Sequence, residues 1–261
     1  MNSCLPVTPP LVHSALDGLK QRNSGHKSIT NYFLQQLDGV ANLRMLESEK
    51  SLCFLHDEWD CSRLYFYTFD AADLVQMLRK INWPPIVVTD WIAKGDTSTV
   101  DKFLLNLGFH LHATYDRIVC KRIRREKPNE RMCFACEKDR EAIHALLFRV
   151  FDKYADHIMP INELGKLIQN KEVILSRDEQ GQINGLVIVP VTGQVCHFNF
   201  LYNKGGVLAL PQLLGNFYGL LTERGVQSGF GWVRRSRPLV LRLHESFGWK
   251  KDGLVDYIYL R

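Results

Sequence analysis

The stretch Leu241–Leu260 limits the fold more than any other part of this chain. Leu241-Arg242-Leu243-His244-Glu245-Ser246-Phe247-Gly248-Trp249-Lys250 reads as a short amphipathic helix that stops at a glycine and meets an aromatic residue. It then passes directly into the alternating run Leu254–Leu260, whose period of two marks a strand. The same order occurs once before, at Lys102-Phe103-Leu104-Leu105-Asn106-Leu107-Gly108-Phe109-His110, again followed by a strand. Gly108 placed on Gly248 gives an offset of 140 residues. Without a gap, Phe109 then falls on Trp249, Asp116 on Asp256, Ile118 on Ile258 and Lys94 on Arg234. A unit of this length repeated once predicts two copies of one mixed α/β fold.

A chain of 261 residues has room for two domains. The run Lys121 to Glu130 is charged, contains Pro128 and reads as the tether between them. The expected division is 1–123, a linker at 124–130, and 131–261. In the second part, strands are expected at 131–137, 173–177, 182–191, 194–202, 227–234 and 249–260. Helices are expected at 140–154, 161–169, 208–224 and 239–247. In the first part, strands are expected at 43–47, 51–56, 63–68, 86–92 and 109–121. Helices are expected at 71–81 and 97–107, with an opening helix at 28–37.

The order β-α-α-β-β-β-α-β-α-β over 131–261 resembles the GNAT superfamily of acyl-CoA-dependent N-acyltransferases. The run Leu243-His244-Glu245-Ser246-Phe247-Gly248-Trp249 is similar to the Leu-His-Glu-x-x-Gly-Phe and Leu-Tyr-x-x-x-Gly-Phe helix ends of that superfamily. The implied architecture is two GNAT-like domains in tandem, each a central mixed sheet flanked by helices. In the first copy Leu104 stands where His244 stands in the second, and Thr68–Ala72 has no glycine loop. That copy is expected to be degenerate and non-catalytic.

The resemblance implies a site in which two parallel strands splay and acyl-CoA lies between them like an added strand. The splayed strands would be Cys196–Leu201 and Gly229–Arg234, with Phe198, Phe200 and Leu201 lining the cofactor. The pyrophosphate would rest on the turn Asn203-Lys204-Gly205-Gly206 before a helix, where free N–H groups and the helix dipole favour an anion. This turn departs from the superfamily pattern Q/R-x-x-G-x-G/A: Asn203 replaces Gln or Arg, and Leu208 replaces Gly or Ala. Arg237 stands where the superfamily often has Asn. With Arg234, Arg235 and Arg242 it could meet the CoA phosphates or an acidic acceptor, or simply face solvent. His244 takes the place of the residue that protonates the departing thiolate, and an imidazole titrating near neutrality suits that work. For the base, His197 is the titratable group on the first splayed strand, with Glu172 beside a neighbouring one. Asn199 and Tyr202 are candidates to orient substrate.

The implied reaction is acetyl transfer from acetyl-CoA to a small-molecule or peptide amine by direct attack, with no metal. The alternatives are an aminoacyl-tRNA-dependent transferase, since tandem GNAT-like folds occur there too, and a non-catalytic binding or regulatory module. A net charge of +5 is too mild to indicate nucleic-acid binding by itself. Seven scattered cysteines read as reduced thiols. The lone pair Cys133 and Cys136 has no second pair to complete a zinc site and reads as structural. No apolar run approaches the ~18 residues of a membrane span, and prolines interrupt the apolar N-terminal stretch. A cytoplasmic location is the expectation. The sequence leaves the oligomeric state and the identity of the acceptor open.

Overall fold

A computed structural model describes residues 5–31, 41–95, 97–127 and 133–261. In the first half the elements are β1 (Leu5–Val7), α1 (Pro9–Arg22), β2 (Ile29–Thr30), β3 (Leu43–Glu47), β4 (Ser51–Asp57), β5 (Ser62–Thr68), α2 (Ala71–Leu78), β6 (Val87–Ala93), α3 (Ser98–Asn106) and β7 (His110–Cys120). In the second half they are β8 (Cys133–Phe134), α4 (Arg140–Val150), α5 (Ile161–Gln169), β9 (Val173–Arg177), β10 (Ile183–Ile188), β11 (Val191–Thr192), β12 (Val195–Phe198), β13 (Phe200–Asn203), α6 (Gly206–Glu223), β14 (Ser228–Arg234), α7 (Pro238–Ser246) and β15 (Lys250–Leu260).

The chain forms two compact units, but they do not divide at 124–130. One unit is Met1–Thr114 with Val255–Arg261, and the other is Tyr115–Leu254. Each is completed by a strand from the other half of the sequence. The end of β15 pairs with β6 in the first unit, from Val255 on Ala93 to Leu260 on Val88. The end of β7 pairs with β14 in the second, from Tyr115 on Arg234 to Cys120 on Gly229. The two helix-glycine-aromatic-strand repeats both exist, with Gly108 and Gly248 in the left-handed region at φ 83° and 88°. The strand that follows each one enters the other unit.

In the first unit β1, β3, β4, β5, β6 and β15 lie side by side in that order. Helix α1 was not expected. Pro9 and Pro10 occupy its first positions, where no N–H is needed, and Val12, Leu16 and Leu19 form its buried stripe. Strands β5 and β6 are parallel but pair at only two positions, Ser62 on Val87 and Arg63 on Val88. Beyond them β5 pairs instead with β2, through Thr68 on Ile29 and Tyr67 on Thr30. The next residue, Asn31, is buried and closes the gap. Its Nδ2 shares two N–H among the Leu64 carbonyl (3.0 Å), Thr89 Oγ1 (2.9 Å) and the Asp90 carbonyl (3.1 Å), while its Oδ1 accepts from the Phe66 N–H (2.7 Å). The helix expected at 28–37 is therefore a strand at Ile29–Thr30, and 32–37 lie outside the described residues.

In the second unit β8, β9, β10 and β13 form one antiparallel group. Strands β7, β14, β12 and β11 form another. The strand expected over 194–202 is broken at Asn199 into β12 and β13, which pair with different neighbours. The core centres on Trp249, wholly buried against α6, where its Nε1–H donates to the Tyr218 hydroxyl (2.8 Å). Arg131 and Met132 of the strand expected at 131–137 fall outside the described residues. Cys133 and Cys136 are exposed rather than core residues, and Cys136 caps the short 3-10 turn Glu137–Asp139, its N–H donating to Asp139 Oδ2 (3.0 Å). No helix among the described residues is long and apolar enough to cross a membrane.

Asn31→Ala removes the acceptor of the buried Phe66 N–H and the donors to Thr89 Oγ1 and the Asp90 carbonyl, while the Leu64 carbonyl keeps the Thr89 hydroxyl. Each such loss costs about 1–3 kcal/mol. We expect urea unfolding to show a loss of roughly 3 kcal/mol or more.

Candidate active site

The second unit opens where its two parallel strands part. β12 and β14 pair from Val195 on Ser228 to Phe198 on Gly231. The approach is close at the last pair: a Cβ on Gly231 would lie 2.9 Å from the Phe198 carbonyl oxygen, so this position requires glycine. Asn199 then turns the chain away, its N–H donating to the Ile188 carbonyl (3.1 Å). From Phe200 onward the chain pairs with β10, while Trp232–Arg234 pair only with β7. Two strand edges therefore face each other with no ladder between them. An extended ligand can hydrogen-bond to such edges as an added strand.

A cavity of about 100 Å³ lies at the fork. Its apolar wall includes Phe151, Phe198, Trp232 and Val240, and its polar groups are Tyr115, Asp156, Asn199, Arg234, Arg237 and His244. Phe200 and Leu201 also line it. Of the residues expected at the cofactor, Phe198, Phe200, Leu201 and Arg237 thus come together with His244.

His244 projects from α7 with 4% of its surface exposed. Its ring sits edge-on to Phe198 at 4.8 Å and to Trp249 at 6.0 Å. This apolar enclosure penalises the imidazolium and lowers the pKa to about 4. At pH 7 the ring is therefore neutral, with about one molecule in a thousand protonated.

His197 lies elsewhere. Successive strand residues face opposite sides, so His197 points away from Cys196 and Phe198. It stacks on Phe230, centroids 4.5 Å apart, and does not line the cavity. Burial, and then the neighbouring His157, lower its pKa to about 4. Glu172 is also accounted for: it is buried, accepts the Val191 N–H (3.0 Å) and pairs with Arg224 (3.3 Å).

The turn 203–206 does not line the cavity. Asn203 ties it to itself: Oδ1 accepts the Gly205 N–H (3.2 Å) and Nδ2 donates to the Gly206 carbonyl (2.9 Å). The Lys204 N–H is committed to the Asn184 carbonyl (2.6 Å). Lys204, Gly205 and Gly206 remain exposed at the N-terminus of α6, which has no side-chain cap. Of the arginine cluster, Arg234 pairs with Asp152 (3.2 Å) and Arg235 with Asp116 (2.8 Å), whereas Arg237 is exposed at the cavity rim.

Tyr115 and Asp156 were not anticipated. The Tyr115 hydroxyl donates to Asp156 Oδ1 at 2.6 Å. Burial and the Asp156 carboxylate raise the Tyr115 pKa far above its ordinary value, which keeps the hydroxyl protonated. Tyr115 belongs to a strand that reads in the sequence as part of the first domain. No local signal places it at this fork.

Solved structures are similar to this chain in fold over nearly its whole length. A GCN5-related N-acetyltransferase from Sphaerobacter thermophilus is similar over 99% of this chain and 94% of its own, at 11% identity and a TM-score of 0.63. A tandem GNAT protein from the clavulanic acid biosynthesis pathway is similar over 98% and 97%, at 9% identity and a TM-score of 0.57. The chain has a tandem GNAT fold. A GCN5-related N-acetyltransferase from Kribbella flavida gives 12% identity over 97% and 95%, with a TM-score of 0.52. No protein-family model matches the chain, and no curated protein matches it in sequence. At these identities the likeness is one of fold. Within the GNAT frame, the fork of the second unit is open and that of the first is occupied by Asn31 and β2.

The buried neutral His244 makes stability depend on pH. Its folded pKa of about 4 lies below the ordinary 6.5, so between those values the unfolded chain holds more protons. Stability present above pH 6.5 is lost as the pH falls toward 4, by about 3 kcal/mol from this residue. Melting temperatures recorded across that window should fall with acidification, and His244→Gln should flatten the curve.

Proposed function

We propose that this protein is an acyl-CoA-dependent N-acyltransferase, with its chemistry at the open fork of the second unit. The observation that carries this reading is the parting of β12 and β14 after Phe198 and Gly231, which leaves unpaired edges beside a cavity. The pantetheine arm of acyl-CoA is an extended amide chain and suits that gap. Lys204 and the uncapped start of α6 offer a positive end for the CoA phosphates. Arg237 offers a second cation at the rim. A small cavity with aromatic walls favours a short acyl group, acetyl being the simplest. The acceptor is a small-molecule or peptide amine, and no metal is required.

In this reading the amine nitrogen attacks the thioester carbonyl, the C–N bond forms and the C–S bond breaks, with its electron pair passing to sulfur. A thiol of ordinary pKa, about 8.5, leaves as thiolate without full proton transfer. His244 therefore acts at the thiolate as a neutral N–H donor rather than as an imidazolium. Holding both reactants in the fork supplies the rest of the advantage.

Acetyl-CoA should raise the melting temperature; saturation at 100 times Kd corresponds to about 2.7 kcal/mol. Incubation with acetyl-CoA and a panel of free amino acids, polyamines and a lysine-containing peptide should yield an acetylated product by mass spectrometry. Absence of both effects with acetyl-CoA well above micromolar would sink the proposal and favour a non-catalytic module. Salt-sensitive binding of tRNA in place of acetyl-CoA would favour an aminoacyl-tRNA donor.

A further inference from the structure

We infer that Asp156 is the group that takes the proton from the attacking amine, and that Tyr115 is its positioning residue. This rests on the acyl-transfer reading of the same cavity and names the base that the reading lacks. The first splayed strand offers only His197, which faces Phe230 and not the cavity.

Five ionisable side chains border the cavity: Tyr115 from β7, Asp156 from the segment between α4 and α5, Arg234 from β14, Arg237 after it, and His244 from α7. The two guanidinium groups carry donors and no acceptor. Tyr115 is held as the neutral phenol. A proton accepted by His244 would create a buried cation, which its apolar enclosure opposes. Asp156 is the remaining acceptor, and a carboxylate that takes a proton loses its charge.

The turn that carries Asp156 presents it with care. Asp156 Oδ2 accepts the Asp152 N–H (2.7 Å) and Oδ1 accepts the Tyr115 hydroxyl (2.6 Å). These two bonds fix the carboxylate plane and leave a second lone pair on each oxygen. The neighbouring carboxylate, Asp152, is matched by Arg234 (3.2 Å), whereas no ion pair to Asp156 occurs among the described residues. One anion of this turn is neutralised and the other faces the cavity.

The step balances. The free amine attacks the carbonyl carbon, and its N–H becomes acidic as the nitrogen gains positive charge. That proton passes to Asp156, the C–S electron pair leaves on sulfur, and the Asp156 proton then passes through solvent to the thiolate. General base catalysis of this kind contributes typically about 10²–10⁴-fold.

The test uses the full chain, acetyl-CoA and the amine from the panel that the wild type acetylates fastest. Asp156→Asn should lower kcat about 100-fold or more while the acetyl-CoA thermal shift and KM for acetyl-CoA stay unchanged. Asp156→Ala should recover activity with added formate, which a purely structural role would not allow. Tyr115→Phe should lower kcat by a smaller factor, again at unchanged KM for acetyl-CoA. If Asp156→Asn keeps kcat within about threefold of wild type, below the contribution expected of a general base, the assignment is wrong and the acyl-transfer reading stands. Loss of folding or acetyl-CoA binding in Asp156→Asn, with no formate rescue of Asp156→Ala, also overturns it in favour of a structural role. Failure of the wild type to acetylate any amine removes both.

Discussion

Everything proposed for this protein depends on one backbone event: the chain leaves one strand partner and takes another at Asn199. Before that residue β12 is held to β14, and after it β13 is held to β10. Backbone donors and acceptors in a folded interior must find partners. The break is tolerated because each piece satisfies itself on its outer neighbour, which leaves the inner edges with no ladder between them. Gly231 sets the apex of the fork, since any side chain there would meet the Phe198 carbonyl. Buried Trp249 and the α6 face hold the strands to the core on one side.

The first unit meets the same constraint in another way. Its parallel strands β5 and β6 also part after two pairs. There the chain supplies its own filler: β2 takes the open edge of β5, and the Asn31 amide bridges to β6. A primary amide with two donors and one acceptor mimics a peptide group, so one buried side chain satisfies both edges. The two units thus differ at the fork: the first is filled by β2 and Asn31, whereas a cavity lies at the second.

The electrostatics of the fork follow from its dryness. Apolar walls push His244 to the neutral form, and the same burial keeps the Tyr115 hydroxyl protonated. A histidine valued in the sequence for titrating near neutrality is thereby converted into a hydrogen-bond donor. In the proposed reaction the group left to move a proton is Asp156, to which no ion pair occurs among the described residues.

Much of the architecture was legible because period and punctuation are local. The strand 43–47, the strand 173–177 and the helix 161–169 stand where the residue patterns put them, and the glycines that end the two repeated helices do adopt positive φ. The resemblance to the GNAT superfamily, rather than local pattern, grouped His244, Phe198, Phe200, Leu201 and Arg237, and all five line one cavity. It missed α1, although Pro9-Pro10 and the spacing of Val12, Leu16 and Leu19 signalled it. What the sequence by itself determined is the set of elements, their order and their repetition, because these follow from propensity and hydrophobic period along the chain. Tertiary structure alone decided which strand completes which unit, that 29–31 closes one fork, that His197 faces away and that Tyr115 meets Asp156. Those outcomes depend on strand pairing between residues far apart in sequence, and a strand's pattern states that it must pair without stating with which partner.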